Sequence, residues 1–274
     1  MVVATAIPYS PPTLVRRAER CDLDELSRLE HDAWPDGDCM RADADEFAHR
    51  IAVGGVLVAQ RRGRIVGSLT TFRPRWAHAR VLDEIVAHCP AELLSLPTHE
   101  RWSAVCERWG LPIDWHAATA DGHVRERGMH RPGGDVIFGV GIATDPTERS
   151  TNIASALLEH ALVAARRSGV RYFVGYGRLP QFHASTLSLD AYLRRTRVAV
   201  GAEVPHDVTL RLHWRAGARP ARTRDGDAMW LGIPAAMRDD PESRGAGVLV
   251  VTPLGRRSPF PLARAAASIV TSPR

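Results

Sequence analysis

The segment Ile142-Ala-Thr-Asp-Pro-Thr-Glu-Arg-Ser-Thr-Asn-Ile-Ala-Ser-Ala-Leu-Leu158 decides the fold of this 274-residue chain. It begins in an apolar run at 135–144 that predicts a β-strand, and it continues through a proline turn. Small residues then open a predicted helix at 151–168, whose apolar stripe repeats at helical spacing and stops at Gly169. The apolar run at 170–176 predicts another strand. A strand, a long helix and a strand in this order predict a parallel crossover unit.

The start of the predicted helix has the chemistry of an anion site. The first N–H groups of a helix lack an intrahelical acceptor and lie at the positive end of the helix dipole. Small side chains let an anion approach these groups closely. We therefore predict a cradle for a pyrophosphate group made by Arg149, Ser150, Thr151, Asn152, Ile153 and Ala154. The preceding strand edge, Ile142, Ala143 and Thr144, can offer main-chain hydrogen bonds to an extended, amide-bearing arm.

Further elements are predicted on both sides of this segment. Those before it are a strand at 13–19, a helix of residues 23–33 with Asp22 as its N-cap, a helix at 43–52, a hairpin of 56–59 and 65–69, and helices near 80–94 and 98–109. Those after it are a short helix near 187–195, a helix at 208–216 ending at Gly217, and strands near 218–223 and 246–252. We predict one α/β domain over 13–252 with insertions at 73–134 and 178–206, preceded by an irregular lead-in at 1–12 and followed by a mobile tail at 253–274.

The composition excludes several protein classes. Hydrophobic residues make up 45% and charged residues 24% of the chain, which is typical of soluble globular proteins and not of disordered or collagen-like ones. No apolar run reaches the roughly 18 residues that cross a bilayer, and the first residues lack the pattern of a secretory signal. The four cysteines form no CxxC pair, which predicts reduced thiols and no metal site. We expect a cytoplasmic protein without a membrane partner.

The charged residues narrow the chemistry further. All 36 basic residues are arginine, so mechanisms that need a Schiff-base lysine or a P-loop lysine are excluded. A phosphate group must be held by guanidinium groups, backbone amides or hydroxyls. The net charge of +5 favours an anionic partner. Nucleic acid is not expected, because no basic helix is interleaved with stacking aromatic residues.

The run Arg149-Ser-Thr-Asn152-Ile-Ala154 resembles the acyl-CoA-binding motif of the GNAT superfamily of N-acyltransferases, in which (Gln/Arg)-x-x-Gly-x-(Gly/Ala) follows a strand and a proline. Asn152 stands where the family has glycine, and asparagine tolerates left-handed backbone angles. The resemblance implies a mixed, splayed β-sheet flanked by helices, with acyl-CoA or acetyl-CoA as co-substrate and no metal. A weaker similarity, carried by Gly177-Arg-Leu-Pro-Gln-Phe-His183, is to GNAT domains fused to nitrilase-like hydrolases.

The resemblance also implies a reaction, in which an acyl group passes from its thioester to a primary amine of a small molecule or peptide by direct attack. His213 falls where the family often has the tyrosine that protonates the leaving thiolate, and an imidazole with a pKa of about 6.5 suits that role. His183 is a candidate general base, and Tyr176 a candidate partner of the pantetheine or the thiolate. The structural alternatives are a helix-surface histidine, a loop histidine and a core tyrosine. The strand at 139–144 holds no carboxylate, although many family members have a basic glutamate there.

Two other functions stay open at this point. The arginine-rich stretch 194–224 suits the adenosine 3′-phosphate or the acidic helix of an acyl-carrier protein, whose phosphopantetheine would then carry the acyl chain for a peptide or a specialised metabolite. The altered Asn152 and the missing strand carboxylate instead suit a non-catalytic module that binds CoA or an acyl ligand. Tryptophans between Trp76 and Trp115 indicate either a lid or acyl channel, or a helical insertion with a small core of its own.

Overall fold

The computed structural model describes residues 12–34, 41–123, 128–148, 151–199, 201–238 and 240–255. Its helices are α1 Leu23–Ala33, α2 Ala44–Ala52, α3 Ala79–His88, α4 Ala91–Ser95, α5 Thr98–Trp109, α6 Trp115–Thr119, α7 Ile153–Arg167, α8 Leu189–Leu193 and α9 Val208–Arg215. Its strands are β1 Leu14–Arg17, β2 Val56–Arg61, β3 Arg64–Phe72, β4 Val136–Thr144, β5 Tyr172–Arg178, β6 Thr196–Ala199, β7 Ala202–Pro205, β8 Ala221–Arg222, β9 Ala228–Met229, β10 Gly232–Ile233 and β11 Gly247–Pro253.

Seven of the strands form one mixed sheet in the order β1-β2-β3-β4-β5-β11-β10. Within this sheet β4 and β5 pair in parallel, and the other neighbours pair antiparallel. Helix α7 connects the two parallel strands. The α/β class, the mixed sheet and the parallel crossover predicted from the sequence are therefore confirmed.

The sheet splits between its two parallel strands. Their pairing runs only from Val136 opposite Tyr172 to Gly139 opposite Gly175. Beyond that point β4 stays with β3, whereas β5 stays with β11. A bulge leaves Val140 without a residue opposite it in β3, and such a bulge bends and twists a strand. The indole N–H of Trp115 donates to the carbonyl of Val140 at 2.9 Å, so the inserted region helps to hold the bend.

Helices cover both faces of the sheet, because side chains alternate between faces along each strand. Helices α1 to α6 lie on one face, where buried side chains such as Trp102 and Trp115 join Phe138 and Tyr176 in one apolar cluster. Helices α7 to α9 lie on the other face. The sequence analysis offered the alternative that residues 73–134 form an insertion with a small core of its own. That alternative is wrong, since the tryptophans of this region belong to the same core as the sheet.

Other predictions had mixed outcomes. The strand expected near 218–223 is shorter than predicted: the two-residue β8 pairs with β9, Arg219 makes an isolated bridge to Val251 of the main sheet, and β10 forms the sheet edge. The segment 178–206 contains the expected short helix, but also the β6–β7 hairpin, which the sequence analysis missed. Residues 1–11 of the lead-in and 256–274 of the tail lie outside the described residues.

Three further features concern the described residues: membrane-spanning helices, thiols and groups of metal-ligating side chains. There, no helix has the length and apolarity to span a bilayer. Cys21, Cys89 and Cys106 are free thiols. No group of three metal-ligating side chains comes together in the same part of the chain. The cytoplasmic location stays a prediction.

Candidate functional site

The start of helix α7 has the open geometry that an anion site requires. Asn152 precedes the helix with φ 64° and ψ 16°, a left-handed conformation, and its side chain makes no capping hydrogen bond within the described part of the chain. The tolerance expected of asparagine at this position is confirmed. The N–H of Ala156 donates to the carbonyl of Asn152 at 3.0 Å, so the N–H groups of Ile153, Ala154 and Ser155 come before the first helical bond. These residues and Thr151 line a wide cleft.

A buried arginine fixes the turn that leads into this helix. The guanidinium of Arg61 donates to the hydroxyl of Thr13 at 2.7 Å and to the carbonyl of Thr151 at 2.9 Å. It also pairs with the Glu148 carboxylate at 2.8 Å, which neutralises a negative charge beside the anion site. Arg61 was not predicted as a site residue, because its partners lie far from it along the chain. Arg149 and Ser150, the first two residues of the predicted cradle, lie outside the described residues.

The left-handed turn gives a first testable prediction. Asn152→Val is expected to lower the free energy of unfolding by about 1–2 kcal/mol, because a β-branched residue is strained in this conformation. Asn152→Gly is expected to keep or raise it, since glycine adopts positive φ freely. Urea unfolding of the two variants and the wild type checks both values. Equal stability of the valine and glycine variants would show that residue 152 is not left-handed in solution.

The split in the sheet forms a cavity of about 240 Å³ that is continuous with the wide cleft, whose volume is about 970 Å³. Both share Ile142, Thr144 and Ala154 from the predicted donor site, and Ala143 lines the cleft. The described residues that line the cavity are Trp34, Leu69, Gly139, Val140, Gly141, Ile142, Thr144, Ala154, Phe173, Gly175, Tyr176, Gly177, Arg178, Pro180, Thr209, Leu212, His213 and Met237. None of these is an aspartate or a glutamate. The walls are mostly apolar, so a charged group that entered would lose water without meeting a carboxylate partner.

His213 lies in the wall of this cavity. It projects from α9, is 8% exposed, and stacks on Phe173 with the ring centroids 6.2 Å apart. Its Nδ1 atom is buried and has no hydrogen-bond partner among the described residues. Burial lowers the pKa of His213 to about 4, so the imidazole is neutral at pH 7. The helix-surface alternative is therefore wrong, and so is the expectation of an ordinary histidine pKa. A neutral imidazole carries one N–H donor and one acceptor nitrogen.

The other two candidate catalytic residues have different positions. Tyr176 is among the residues that line the cavity, but its hydroxyl donates to the carbonyl of Pro112 at 2.6 Å, and burial raises its pKa well above the usual value. The hydroxyl proton of Tyr176 is therefore held in a hydrogen bond within the core, which agrees with the alternative of a core tyrosine. His183 is exposed, and its Nδ1 faces the carbonyls of Pro180 at 2.9 Å and Glu242 at 3.0 Å. It is not among the residues that line the cavity or the cleft.

The mouth of the cavity contains two side chains that the sequence analysis did not assign to the site. Trp34 follows α1, and the guanidinium of Arg178 lies 5.0 Å from the centroid of its ring. Arg178 ends β5 and makes two hydrogen bonds to the buried carboxylate of Asp240, at 2.7 and 2.6 Å, with Glu242 at 3.2 Å. The positive charge at the mouth is thus balanced by carboxylates of the following loop. α1, β5 and this loop are distant in sequence, and they come together only in the folded chain.

Two arginines of α9 line the cleft opposite the start of α7. Arg211 and Arg215 are four residues apart and so share one side of the helix. Burial lowers the pKa of Arg211, and the nearby cations Arg197 and Arg215 lower it further. Mutual repulsion of this kind is relieved by a bound anion. The arginine-rich stretch predicted to bind phosphate or an acidic partner therefore reaches the cleft through these two side chains.

A buried carboxylate lies behind Trp34. Glu30 on α1 is 5% exposed, and its carboxylate accepts from the Ser68 hydroxyl at 3.5 Å. Burial raises its pKa to about 7, against the opposing effects of the Arg50 guanidinium, the Ala42 N–H and the Trp34 indole. The native protein therefore keeps a proton on Glu30 at pH values where the unfolded chain, with a pKa near 4.5, has released it.

This shift predicts a pH-dependent stability. As the pH rises from about 4.5 to 7, Glu30 should lower the free energy of unfolding by roughly 3 kcal/mol, with no further loss above that range. His213 has the opposite sign between about pH 4 and 6.5, because its pKa is lowered in the native state. Urea unfolding of wild type and Glu30→Gln at each pH isolates the carboxyl. A difference that stays constant from pH 4.5 to 7 would contradict the prediction.

Comparisons with known proteins found similar solved structures that are described as GNAT-like. No family model and no curated protein matches the chain. Among solved structures, the GphF GNAT-like decarboxylase in complex with isobutyryl-CoA is 26% identical, with a TM-score of 0.58 over 88% of this chain and 100% of that one. The loading GNATL domain of CurA from Lyngbya majuscula has the same TM-score at 19% identity, over 88% of this chain and 98% of that one. The second likeness is one of fold alone.

Proposed function

The chain belongs to the GNAT superfamily, and from that premise we propose that it is an enzyme that acts on the acyl group of a CoA thioester. The reaction that we propose is the decarboxylation of a short, malonyl-type acyl-CoA. The open helix start and the split sheet support the thioester part of this proposal. The absence of any carboxylate from the described cavity wall carries the choice of reaction. The similar decarboxylase is consistent with both.

The CoA diphosphate would bind at the start of α7. The N–H groups of Ile153, Ala154 and Ser155 supply donors that have no acceptor among the described residues, and the helix dipole favours negative charge. Arg211 and Arg215 face the same cleft and would hold a further phosphate. From this site the pantetheine arm would follow the free edge of β4 at 142–144 into the cavity. The thioester would then end where the two parallel strands pair again.

The cavity suits decarboxylation better than attack by an amine. A primary amine must lose a proton before or during attack. A general base removes this proton most effectively when its own pKa lies near the working pH, which is about 7. The described wall offers only His213, whose pKa of about 4 makes it a weak base. Decarboxylation needs no base. An apolar cavity also favours the step, because the substrate carboxylate loses its hydration there and becomes neutral CO₂.

The proposed step converts a malonyl-type thioester into CO₂ and a thioester enolate. The bond between the α-carbon and the carboxylate carbon breaks, CO₂ leaves, and the electron pair stays on the α-carbon as an enolate of the thioester. An N–H of neutral His213 can donate to the enolate oxygen, where the negative charge accumulates. The α-carbon then takes up one proton from solvent water, which leaves hydroxide, and the product is the shortened acyl-CoA. The thiolate never leaves, so no leaving-group acid is required, and the committed hydroxyl of Tyr176 is no obstacle.

Acyl transfer is the second candidate, and the arginines around the cleft favour one form of it. Arg197 on β6 lies close enough to Arg211 to lower its pKa, so the hairpin extends the positive surface of the cleft. A carrier protein with an acidic helix would complement this surface. Its phosphopantetheine would receive or deliver the acyl group through the same cleft. The amine acceptor predicted from the sequence stays a prediction.

One experiment separates these functions. The protein is incubated with malonyl-CoA or methylmalonyl-CoA, alone, with an amine panel, or with a phosphopantetheinylated carrier protein, and all species are followed by mass spectrometry. Loss of CO₂ from the CoA thioester without any acceptor supports the proposal. Acylated amine or acylated carrier without prior CO₂ loss would overturn it in favour of transfer. Saturable CoA binding with no product in any arm would favour the non-catalytic module.

A further inference from the structure

Gly175 lacks a structural reason to be glycine. Its φ is not in the left-handed region, and a Cβ built on it would meet only the Gly139 carbonyl oxygen at 3.7 Å and a Phe173 ring carbon at 3.8 Å among the described residues. Both are ordinary contact distances. Glycine within a strand costs about 0.5–1 kcal/mol relative to alanine. The fold alone would therefore accept, and gain from, a methyl group at this position.

The glycine opposite it in the parallel ladder differs in this respect. A Cβ on Gly139 would lie 2.7 Å from the Phe173 ring, so packing requires glycine there. Together the pair leaves the floor of the cavity without side chains from either strand at the last paired position. Phe173 closes the floor below them, and His213 stacks on Phe173. The empty space beside Gly175 is thus bounded by backbone, one ring and one imidazole.

The position of this space defines what it can hold. The cleft is lined by the start of α7 and by the edge of β4 at 142–144, and the adjoining cavity reaches the pair Gly139–Gly175. A thioester that entered along this path would bring its acyl group, and with it the α-carbon, next to the two glycines. The volume of about 240 Å³ exceeds the roughly 150 Å³ cavity that holds benzene, so the space suits an acyl group of a few carbons.

We propose that Gly175 is a specificity-determining residue, whose missing side chain gives room for a branch at the α-carbon of a short acyl thioester. The inference rests on the proposed use of CoA thioesters, but not on the reaction that follows binding. An α-branched acyl group fills the space that a methyl group on residue 175 would occupy. An unbranched acetyl group leaves it empty. The protein should therefore bind isobutyryl-CoA at least as tightly as acetyl-CoA.

Gly175→Ala tests the proposal without loss of the fold. The variant should bind isobutyryl-CoA at least about 10-fold more weakly than the wild type, since one methyl group in a closed apolar pocket is worth 10- to 200-fold. Its affinities for acetyl-CoA and free CoA should change less than about threefold. Isothermal titration measures all three, and thermal unfolding confirms the fold. Gly134→Ala, which adds a methyl group outside the cavity, is the matched control, and Gly175→Ser should reproduce the alanine result.

The outcomes separate this inference from the proposed function. Unchanged isobutyryl-CoA binding in Gly175→Ala, or equal losses for isobutyryl-CoA and acetyl-CoA, would overturn the role of Gly175 while CoA recognition stands. A wild type that prefers acetyl-CoA to isobutyryl-CoA would also overturn it. If the wild type binds neither free CoA nor any thioester, the proposed function fails, and the inference fails with it.

Discussion

His213→Ala is expected to lower kcat for decarboxylation by about 10²- to 10³-fold, the usual cost of removing one donor to a developing oxyanion. The imidazole lies in the cavity wall, and its Nδ1 has no partner in the described structure that substrate binding would have to displace. The dissociation constant of free CoA should change less than about threefold, because the anion site lies at the start of α7. Steady-state kinetics with a malonyl-type CoA, together with titration of free CoA, measures both.

A conservative variant distinguishes a catalytic from a packing role. His213→Gln keeps an N–H donor in the cavity wall and should recover at least about tenfold of the activity lost in His213→Ala. His213→Phe fills the space beside Phe173 but has no donor, so it should be as inactive as the alanine variant. Equal activity of the phenylalanine variant and the wild type would show that His213 only packs.

The neutral state of His213 also predicts the shape of the pH profile. With a pKa of about 4, the imidazole does not change charge between pH 5.5 and 8. The rate constant should therefore show no inflection near 6.5, the value for an ordinary histidine. An inflection near 6.5 that disappears in His213→Gln would mean that the residue acts as a protonated acid, as the sequence analysis expected.

The sequence was sufficient for those parts of the site that local rules govern. The crossover follows from two apolar runs and the helix between them, and the left-handed Asn152 follows from the tolerance of one residue type. Both depend on neighbours within a few positions. For the same reason the motif that starts at Arg149 was recognisable, although its first two residues lie outside the described part of the chain.

The chemistry of the cavity depended on contacts that are distant in sequence. The low pKa of His213 results from burial against Phe173, forty residues earlier, and nothing in the sequence of α9 indicates that burial. The partners of Tyr176 and Arg178 come from segments 62 to 64 residues away. Residue type alone therefore suggested a general acid and a thiolate partner, whereas the fold provides a neutral imidazole and a core hydroxyl.

The short strands were missed for an energetic reason. The strands β6 and β7 are four residues each; β6 is exposed except for the half-buried Ala199, and β7 is exposed in its first two residues, so they lack the apolar alternation that marks a half-buried strand. Conversely, residues near 218–223 have the composition of a strand, but they form only the two-residue β8, which pairs with β9, and one isolated bridge from Arg219 to Val251 of the main sheet. In both cases tertiary packing decides the outcome, and a propensity of a few tenths of a kcal/mol per residue does not.

Ala154→Glu is expected to weaken CoA binding by at least about 100-fold. Ala154 lines both the cleft and the cavity and follows the first N–H donor of α7. A carboxylate at this position would occupy the anion site, and two like charges about 4 Å apart near a protein surface repel by about 4 kcal/mol. The fold should not suffer, because an acidic residue in the first turn stabilises a helix by about 0.3–1 kcal/mol. Titration of CoA and urea unfolding of the variant measure the two effects.

Ala156→Glu is the matched control, since it adds the same charge to the same turn at a residue that does not line the cleft. Its dissociation constant for CoA should stay within about threefold to fivefold of the wild-type value. This small loss of affinity should decrease as the salt concentration rises, because salt screens the repulsion between the added charge and the phosphates. The acyl-pantetheine fragment, which lacks the phosphates, should bind Ala154→Glu and the wild type alike. If Ala154→Glu binds CoA normally, or if the fragment loses as much affinity as CoA, then the N–H groups of α7 do not hold the diphosphate. The thioester would then need another route into the split between β4 and β5.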